Sequence, residues 1–327
     1  MSKRRLRRRI AFVAVVLVLA LVILFSGLRI LESTAFYTNS TEPTRPSKTI
    51  NRDGVGYFPR QDITVVLVMG IDEEGPVKDS GSYRNSGEVD MVSLVVLDHT
   101  NESYNILSLN RDTMVNMPVL GLGGKEAGTL YGQLALSHTY GSGLTDSAEN
   151  TKATVSKFLH DLHIDYYVAL NMDAIGLLND MVGGVTVNVT EDFSQVDPTI
   201  TKGTLTLNRE QAMTFVRSRK DVGTQLNLSR MERHKDYLQG LTTALMDKVR
   251  QSDSFAIRLY EEMEDYMVTD CSVNAVSSLL DRCAEYDLQQ IQTVPGENVQ
   301  GEEFYEFYAD ADKLELLMLE LFYEPKE

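Results

Sequence analysis

Hydrophobic and polar positions divide the chain into three stretches. Ile10–Leu28 (IAFVAVVLVLALVILFSGL) is apolar without a single charge. Residues 33–60 are polar, contain Pro and Gly, and show little periodicity, which is the pattern of a tether. From Asp62 onward, apolar runs alternate with stretches of helical spacing. Ile63–Met69 (ITVVLVM), Met91–Leu97 (MVSLVVL) and Tyr104–Leu109 (YNILSL) read as strands, the last two joined by a short link at Asn101-Glu102-Ser103. Ser147–Leu162 carries an apolar stripe at helical spacing. Tyr166–Asn171 reads as a strand, Ala174–Met181 as a helix stopped by Gly183-Gly184, and Val185–Val189 as a strand. Asn208 is placed to cap a helix over Arg209–Val216, and a long helix is expected from about Leu228 to Arg250. Further signals follow at Met267–Thr269, Asn274–Cys283, Ile291–Val294 and Ala311–Phe322. Strands alternating with helices imply an α/β fold with helices on both faces of a sheet.

Charge sharpens the first stretch. Six of the 31 basic residues lie in the first nine positions, while the whole chain of 327 residues carries a net charge of −16. A basic tip before an uncharged helix of about 28 Å predicts a membrane anchor with the tip in the cytoplasm and the acidic body outside. The apolar run is longer than the ~7–15 residues of a cleaved signal. The expected organisation is a basic tip at 1–9, a transmembrane anchor at 10–31 and a linker at 32–61. A catalytic domain at 62–250 and an acidic α/β extension packed on it at 251–327 complete it. The acidic total excludes a general nucleic-acid binder. Two cysteines, Cys271 and Cys283, twelve apart with helical sequence between them, predict free thiols. No P-loop, G-x-S-x-G elbow or H-E-x-x-H is present.

Candidate chemistry lies at element ends. Gly70-Ile71-Asp72 follows the first strand and Asp90 opens the second. Asn110-Arg111-Asp112-Thr113 follows the third. Arg217-Ser218-Arg219 ends a helix, with Arg230 and Arg233 on the next. In α/β sheets ligands sit at such ends. Guanidinium groups bind phosphate oxygens through two parallel hydrogen bonds, so these arginines form a candidate phosphate or pyrophosphate clamp. Asp72 and Asp90 are candidate Mg²⁺ ligands, since that ion is held by one or two carboxylates plus substrate phosphate. Structural Arg–Asp salt bridges are the competing reading.

These segments together resemble the LytR-CpsA-Psr family, over residues 62 to about 240. The family's G-x-D, R-S-D-T, P-R-D-T, G-G-V-x-V, E-A-L-x-[FY]-V-R-x-R and G-R-x-x-R-Q motifs match, in order, Gly70-Ile71-Asp72, Glu88-Val89-Asp90-Met91, Asn110-Arg111-Asp112-Thr113, Gly183-Gly184-Val185-Thr186-Val187, Glu210-Gln211-Ala212-Met213-Thr214-Phe215-Val216-Arg217-Ser218-Arg219 and Ser229-Arg230-Met231-Glu232-Arg233-His234. A Tyr-rich strand, Asp165-Tyr166-Tyr167-Val168, precedes the G-G-V-x-V segment, as in the family.

The resemblance implies a three-layer α/β/α domain with a central mixed sheet. It implies a membrane-anchored extracytoplasmic phosphotransferase that moves an anionic glycopolymer from a polyprenyl-pyrophosphate carrier to peptidoglycan. Arg111, Arg217, Arg219, Arg230 and His234 would bind pyrophosphate, with Arg111 and Arg219 acting in catalysis. Asp72 and Asp90 would hold Mg²⁺. The lipid would fill an apolar pocket, for which Leu134, Leu136, Val168, Leu170, Ile175, Leu178 and Val182 are candidates. The chain departs from the pattern at Glu88, where the family has Arg, with Arg84 as a candidate replacement. It departs again at Asn110 for Pro, Asn227 for Asp and His234 for Gln. Asp221 is the candidate for the acidic role in catalysis. A pyrophosphatase using water, and a polyprenyl-lipid scaffold without chemistry, are the alternatives.

Overall fold

The structure is a computed structural model, and it describes residues 49–121, 124–218, 222, 226–302 and 304–326. The expected basic tip at 1–9 and anchor at 10–31 lie outside the described residues. Among the described residues no helix is long and apolar enough to cross a membrane.

The strands in chain order are β1 (Ile50–Arg52), β2 (Val55–Pro59), β3 (Ile63–Ile71), β4 (Val89–Asp98), β5 (Ser103–Leu109), β6 (Met114–Leu120), β7 (Glu126–Gln133), β8 (Tyr166–Asn171), β9 (Val185–Val189) and β10 (Gly203–Leu207). β11 (Met267–Thr269), β12 (Asp287–Thr293), β13 (Gly296–Gln300), β14 (Tyr305–Ala309) and β15 (Tyr323–Pro325) follow. The helices are α1 (Thr145–Phe158), α2 (Met172–Val182), α3 (Arg209–Arg217), α4 (Leu226–Gln251), α5 (Phe255–Met263), α6 (Val273–Glu285) and α7 (Ala311–Phe322).

β3 and β4 are β-branched and buried on both faces, which places them at the centre of a sheet. That sheet runs β11-β8-β3-β4-β5-β12. β3 is antiparallel to β4 and parallel to β8, and β5 is antiparallel to β4 and parallel to β12, so the sheet is mixed. Successive side chains point to opposite faces. Leu67, Leu94, Leu107 and Tyr167 join one core with α1 and α7. Val66, Leu97, Ile106 and the partly buried Val168 join a second core with α2 to α6. Helices therefore cover both faces, as the alternation of elements predicts.

Two boundaries differ from the sequence reading. The expected linker at 32–61 ends earlier. β1 and β2 form a hairpin about Asp53-Gly54, both with positive φ, and β2 pairs with β15. An Asp-Gly turn is a strong hairpin signal that the surrounding polar residues obscured. The segment after 251 is no separate layer packed on the sheet: β11 and β12 are its two edge strands.

Cys271 and Cys283 are free and buried, and burial pushes their thiols up to about 11 and about 12.

Candidate active site

Because β3 and β4 are antiparallel, the end of β3 and the start of β4 meet on one rim of the sheet. The ends of β5, β8 and β12 arrive at the same rim. A register shift between Gly70 and Ile71 marks a bulge just before Asp72, whose N–H still donates to the Glu88 carbonyl at 2.9 Å. Gly70 gives room there: a Cβ would lie 3.2 Å from that of Met91, a tight contact.

After β5 the chain turns sharply. The Asn110 Oδ1 accepts from the Asp112 N–H at 2.9 Å, and the Asn110 carbonyl accepts from the Thr113 hydroxyl at 2.5 Å. Asn110 thus supplies by an Asx turn the local constraint that proline supplies by its ring. The turn directs Arg111 over the rim. There its guanidinium meets Glu88 at 2.5 Å, Asp90, and Asp112 at 3.5 Å. Arg230, on the second turn of α4, reaches the other Asp90 oxygen at 3.4 Å. The side chains of Arg111 and Arg230 are 10% and 6% exposed. Nη1 of Arg111 is the atom that lies against Asp90, Nε is the one that faces Asp112, and both are buried. Two guanidiniums converging on one carboxylate concentrate donors that an incoming phosphate can take over.

These residues line a cleft enclosing about 560 Å³, including its open mouth. Its floor is Met91, Ser93, Ser108 and Ile291, and α4 adds His234, Lys235 and Leu238. Ser93 and Ser108 face each other across β4 and β5, Oγ to Oγ 3.0 Å, so small side chains leave room where large ones fill the rest of the sheet. His234 Nε2 lies 2.9 Å from the Val216 carbonyl, which joins α4 to the end of α3.

The predicted constellation divides. Arg111, Asp90, Arg230 and His234 come together in the cleft. Arg217 forms a half-exposed pair with Asp72 at 3.7 Å and Glu74 at 2.9 Å. Arg219 and Asp221 lie outside the described residues. Arg84 does not replace the family's missing arginine: it stacks over Tyr140 at 4.9 Å and donates to its hydroxyl. Arg233 is buried against Glu191 and the carbonyls of Phe215 and Ser218, so it fastens helices together.

The proposed lipid-lining residues also divide. Leu134 and Leu136 belong to the α1 face, whereas Val168, Leu170, Ile175, Leu178 and Val182 pack on the α2 face. A sheet separates the two sets, and none of them lines the cleft. Met91, Leu238, Ile291 and Lys235 do, and sequence reasoning missed them. The Ser pair in two otherwise apolar strands was the available signal.

A second cavity lies behind the rim segment 73–88, lined by Glu73, Glu74, Asn85 and His138 among others. His138 Nδ1 donates to the Gly87 carbonyl at 2.9 Å, and burial lowers its pKa, so a neutral ring props the segment that carries Glu88.

Among the described residues no group of three His, Cys, Asp or Glu side chains is placed to hold a metal ion, and Asp72 and Asp90 each face an arginine. A protein-only cage is absent there. Two rim carboxylates nevertheless fit an ion that arrives with phosphate oxygens. In the cleft lining Asp90 and Asp112 stand against Arg111, Arg230 and Lys235.

The fold and the rim define an α/β protein with a guanidinium–carboxylate cluster at the mouth of an apolar-floored cleft. The chain belongs to the LytR-CpsA-Psr family, whose LytR_cpsA_psr family model matches residues 24–321. It is 26% identical over 242 residues to the polyisoprenyl-teichoic acid–peptidoglycan teichoic acid transferase TagU of Bacillus subtilis, covering 73% of this chain and 72% of the relative. It is 31% identical over 176 residues to the protein of the same name from Bacillus cereus, 54% of this chain and half of that relative. The crystal structure of B. subtilis TagV aligns with a TM-score of 0.61 at 25% identity, over 80% of this chain and 96% of that one.

Proposed function

We propose that the chain is an extracytoplasmic phosphotransferase that moves a glycopolymer from a polyprenyl-diphosphate carrier to peptidoglycan. The observation that carries this reading is the pair of buried guanidiniums on Asp90 at the mouth of the cleft. It unites anion donors and apolar surface, the two halves of a lipid diphosphate. The names of the TagU relatives support the same class of donor and acceptor. In this reading residues 10–31 anchor the chain in the membrane.

Arg111 and Arg230 bind the diphosphate, and the first isoprene units lie on Met91, Leu238 and Ile291. Asp72 and Asp90 would hold Mg²⁺, which when bound neutralises diphosphate charge. A sugar hydroxyl of the acceptor attacks the phosphorus that bears the glycopolymer. A new P–O bond forms, the bond to the bridging oxygen breaks, and polyprenyl phosphate leaves. The hydroxyl proton passes to a carboxylate, for which Asp221 remains the candidate. Positioning and charge stabilisation supply the rate, without a covalent enzyme intermediate.

The test is transfer to polymer-free peptidoglycan by the purified full chain. Arg111→Ala should lower the rate by roughly thirty- to a thousandfold, the effect of losing a charged donor that tightens in the transition state. Arg111→Lys should recover only part, because a point charge replaces a planar fork. Near-normal transfer by Arg111→Ala would overturn the clamp. Release of polyprenyl phosphate with no new glycan linkage would favour the pyrophosphatase.

A further inference from the structure

Arg111 faces a different carboxylate with each of its nitrogens. Nη1 lies against Asp90, Nε faces Asp112 at 3.5 Å, and Nη2 donates to Glu88 Oε2 at 2.5 Å. The three acids are not equivalent. The side chains of Asp90 and Asp112 are 11% and 9% exposed, whereas that of Glu88 is 40% exposed. Asp90 is shared with Arg230, and Asp112 also accepts from the Gln133 amide at 3.2 Å. Glu88 is therefore the outer partner of Arg111, and the one an anion from solvent can replace.

The backbone beneath Glu88 is fixed. Its carbonyl accepts from the Asp72 N–H at 2.9 Å. The preceding Gly87 is buried, with its carbonyl held by His138 at 2.9 Å and its N–H donating to Asn85 Oδ1 at 2.7 Å. The Asn85 amide in turn donates to the carbonyls of His138 and Gly141, each at 2.9 Å. A Cβ at position 87 would come within 2.9 Å of Ile71 Cγ2, so this segment sits directly on the end of β3. Val89, the next residue, is buried in the core. Only the Glu88 side chain is left to move. Rotation about its own bonds carries the carboxylate from Arg111 into solvent and leaves the rim in place.

A carboxylate and a phosphate take the same guanidinium fork. While Glu88 holds Nη2, that seat is occupied. The apparent affinity for any anion is then lowered by the fraction of molecules in which the seat is free. A weak anion gripping Arg111 alone trades one ion pair for another and gains nothing. A diphosphate reaches Arg230 as well, and keeps binding in hand after Glu88 has left. Position 88 is also where the chain departs from the family motif, with an anion in place of a cation.

We propose that Glu88 is a displaceable stand-in for substrate phosphate: it occupies the outer nitrogen of Arg111 in the free protein, yields it to a diphosphate, and so sets the affinity threshold of the cleft. The proposal rests on the reading of Arg111 as the anion seat, and holds whether or not the bound group is then transferred.

The test is calorimetric titration of the purified full chain in detergent with sodium pyrophosphate at fixed ionic strength. Glu88→Gln should bind pyrophosphate about tenfold more tightly than the parent, because the competing charge-assisted bond is gone. Glu88→Asp keeps the charge but is one methylene short on a fixed backbone, and should gain at least about threefold. A salt bridge that merely holds Arg111 in place predicts the opposite sign, since its loss would loosen Arg111 and weaken binding. Affinity in Glu88→Gln that falls, or stays within about twofold of the parent, would overturn the proposal. So would a gain in Glu88→Gln with none in Glu88→Asp, which would make the effect one of net charge and not of contact. Arg111→Ala separates the two readings. If it binds pyrophosphate as the parent does, the anion seat lies elsewhere and both readings fall. If it loses binding while Glu88→Gln gains none, the clamp stands and the role of Glu88 alone fails.

Discussion

Asp90 holds two positive side chains with one carboxylate, so its loss has a mechanical as well as a chemical cost. Arg111 keeps Glu88 and Asp112, but Arg230 loses the carboxylate it meets at 3.4 Å. Removing one partner of a buried pair typically costs ~3–5 kcal/mol, and the partners that Arg111 retains place Asp90→Ala near ~3 kcal/mol. Urea unfolding of the full chain measures this, and a change under ~1 kcal/mol would show that the cluster is solvated. Away from the rim, Asp62 is held at about 2 by the hydrogen bond from Arg60, against an ordinary value of 3.8. A lowered carboxylate stabilises the fold above its unfolded value and stops doing so as it is protonated. Stability should therefore fall as pH drops from about 4 toward 2, and the Asp62→Asn variant should lose much less over that window. Equal acid limbs in the two chains would refute the assignment.

At the scale of elements, α3 is anchored by a capping box in which Asn208 and Gln211 satisfy each other's backbone N–H groups. Asn208→Ala should cost about 1 kcal/mol, read by thermal unfolding, and Asn208→Ser should recover most of it. This cap was legible in the sequence, as were β3 to β5 and the span of α7, because long apolar runs and side-chain oxygens at helix starts act locally. The β6–β7 hairpin was not legible: β7 is almost wholly exposed and Pro118 interrupts β6. The β13–β14 hairpin escaped for the same reason, since exposed strands carry no hydrophobic alternation. In the site, the arginines could be read from their places at element ends. Which of them share a carboxylate could not, because a bulge, an Asx turn and the start of α4 jointly decide it. The lipid-lining candidates fall on two faces because apolar residues were grouped without regard to which face of the sheet each occupies.

At the scale of the molecule, the cleft is closed by sequence far from the motifs. Ile291 and Thr293 of β12 form part of its wall, and β12 pairs with β5. A chain ending at residue 286 should expose the β5 edge and open the cleft. It should elute as aggregates in size-exclusion chromatography and lose lipid-donor binding. A monodisperse truncated chain that still binds donor would show that β12 is dispensable.

The same sheet order has a temporal side. β5 is finished at Leu109, but its parallel neighbour ends only at Thr293. At ~5–20 residues per second, a ribosome needs roughly ten to forty seconds to make the intervening chain. Throughout that interval the nascent polypeptide carries the arginine turn and a bare strand side by side. Until β12 arrives, the open edge of β5 is a template on which another strand can pair.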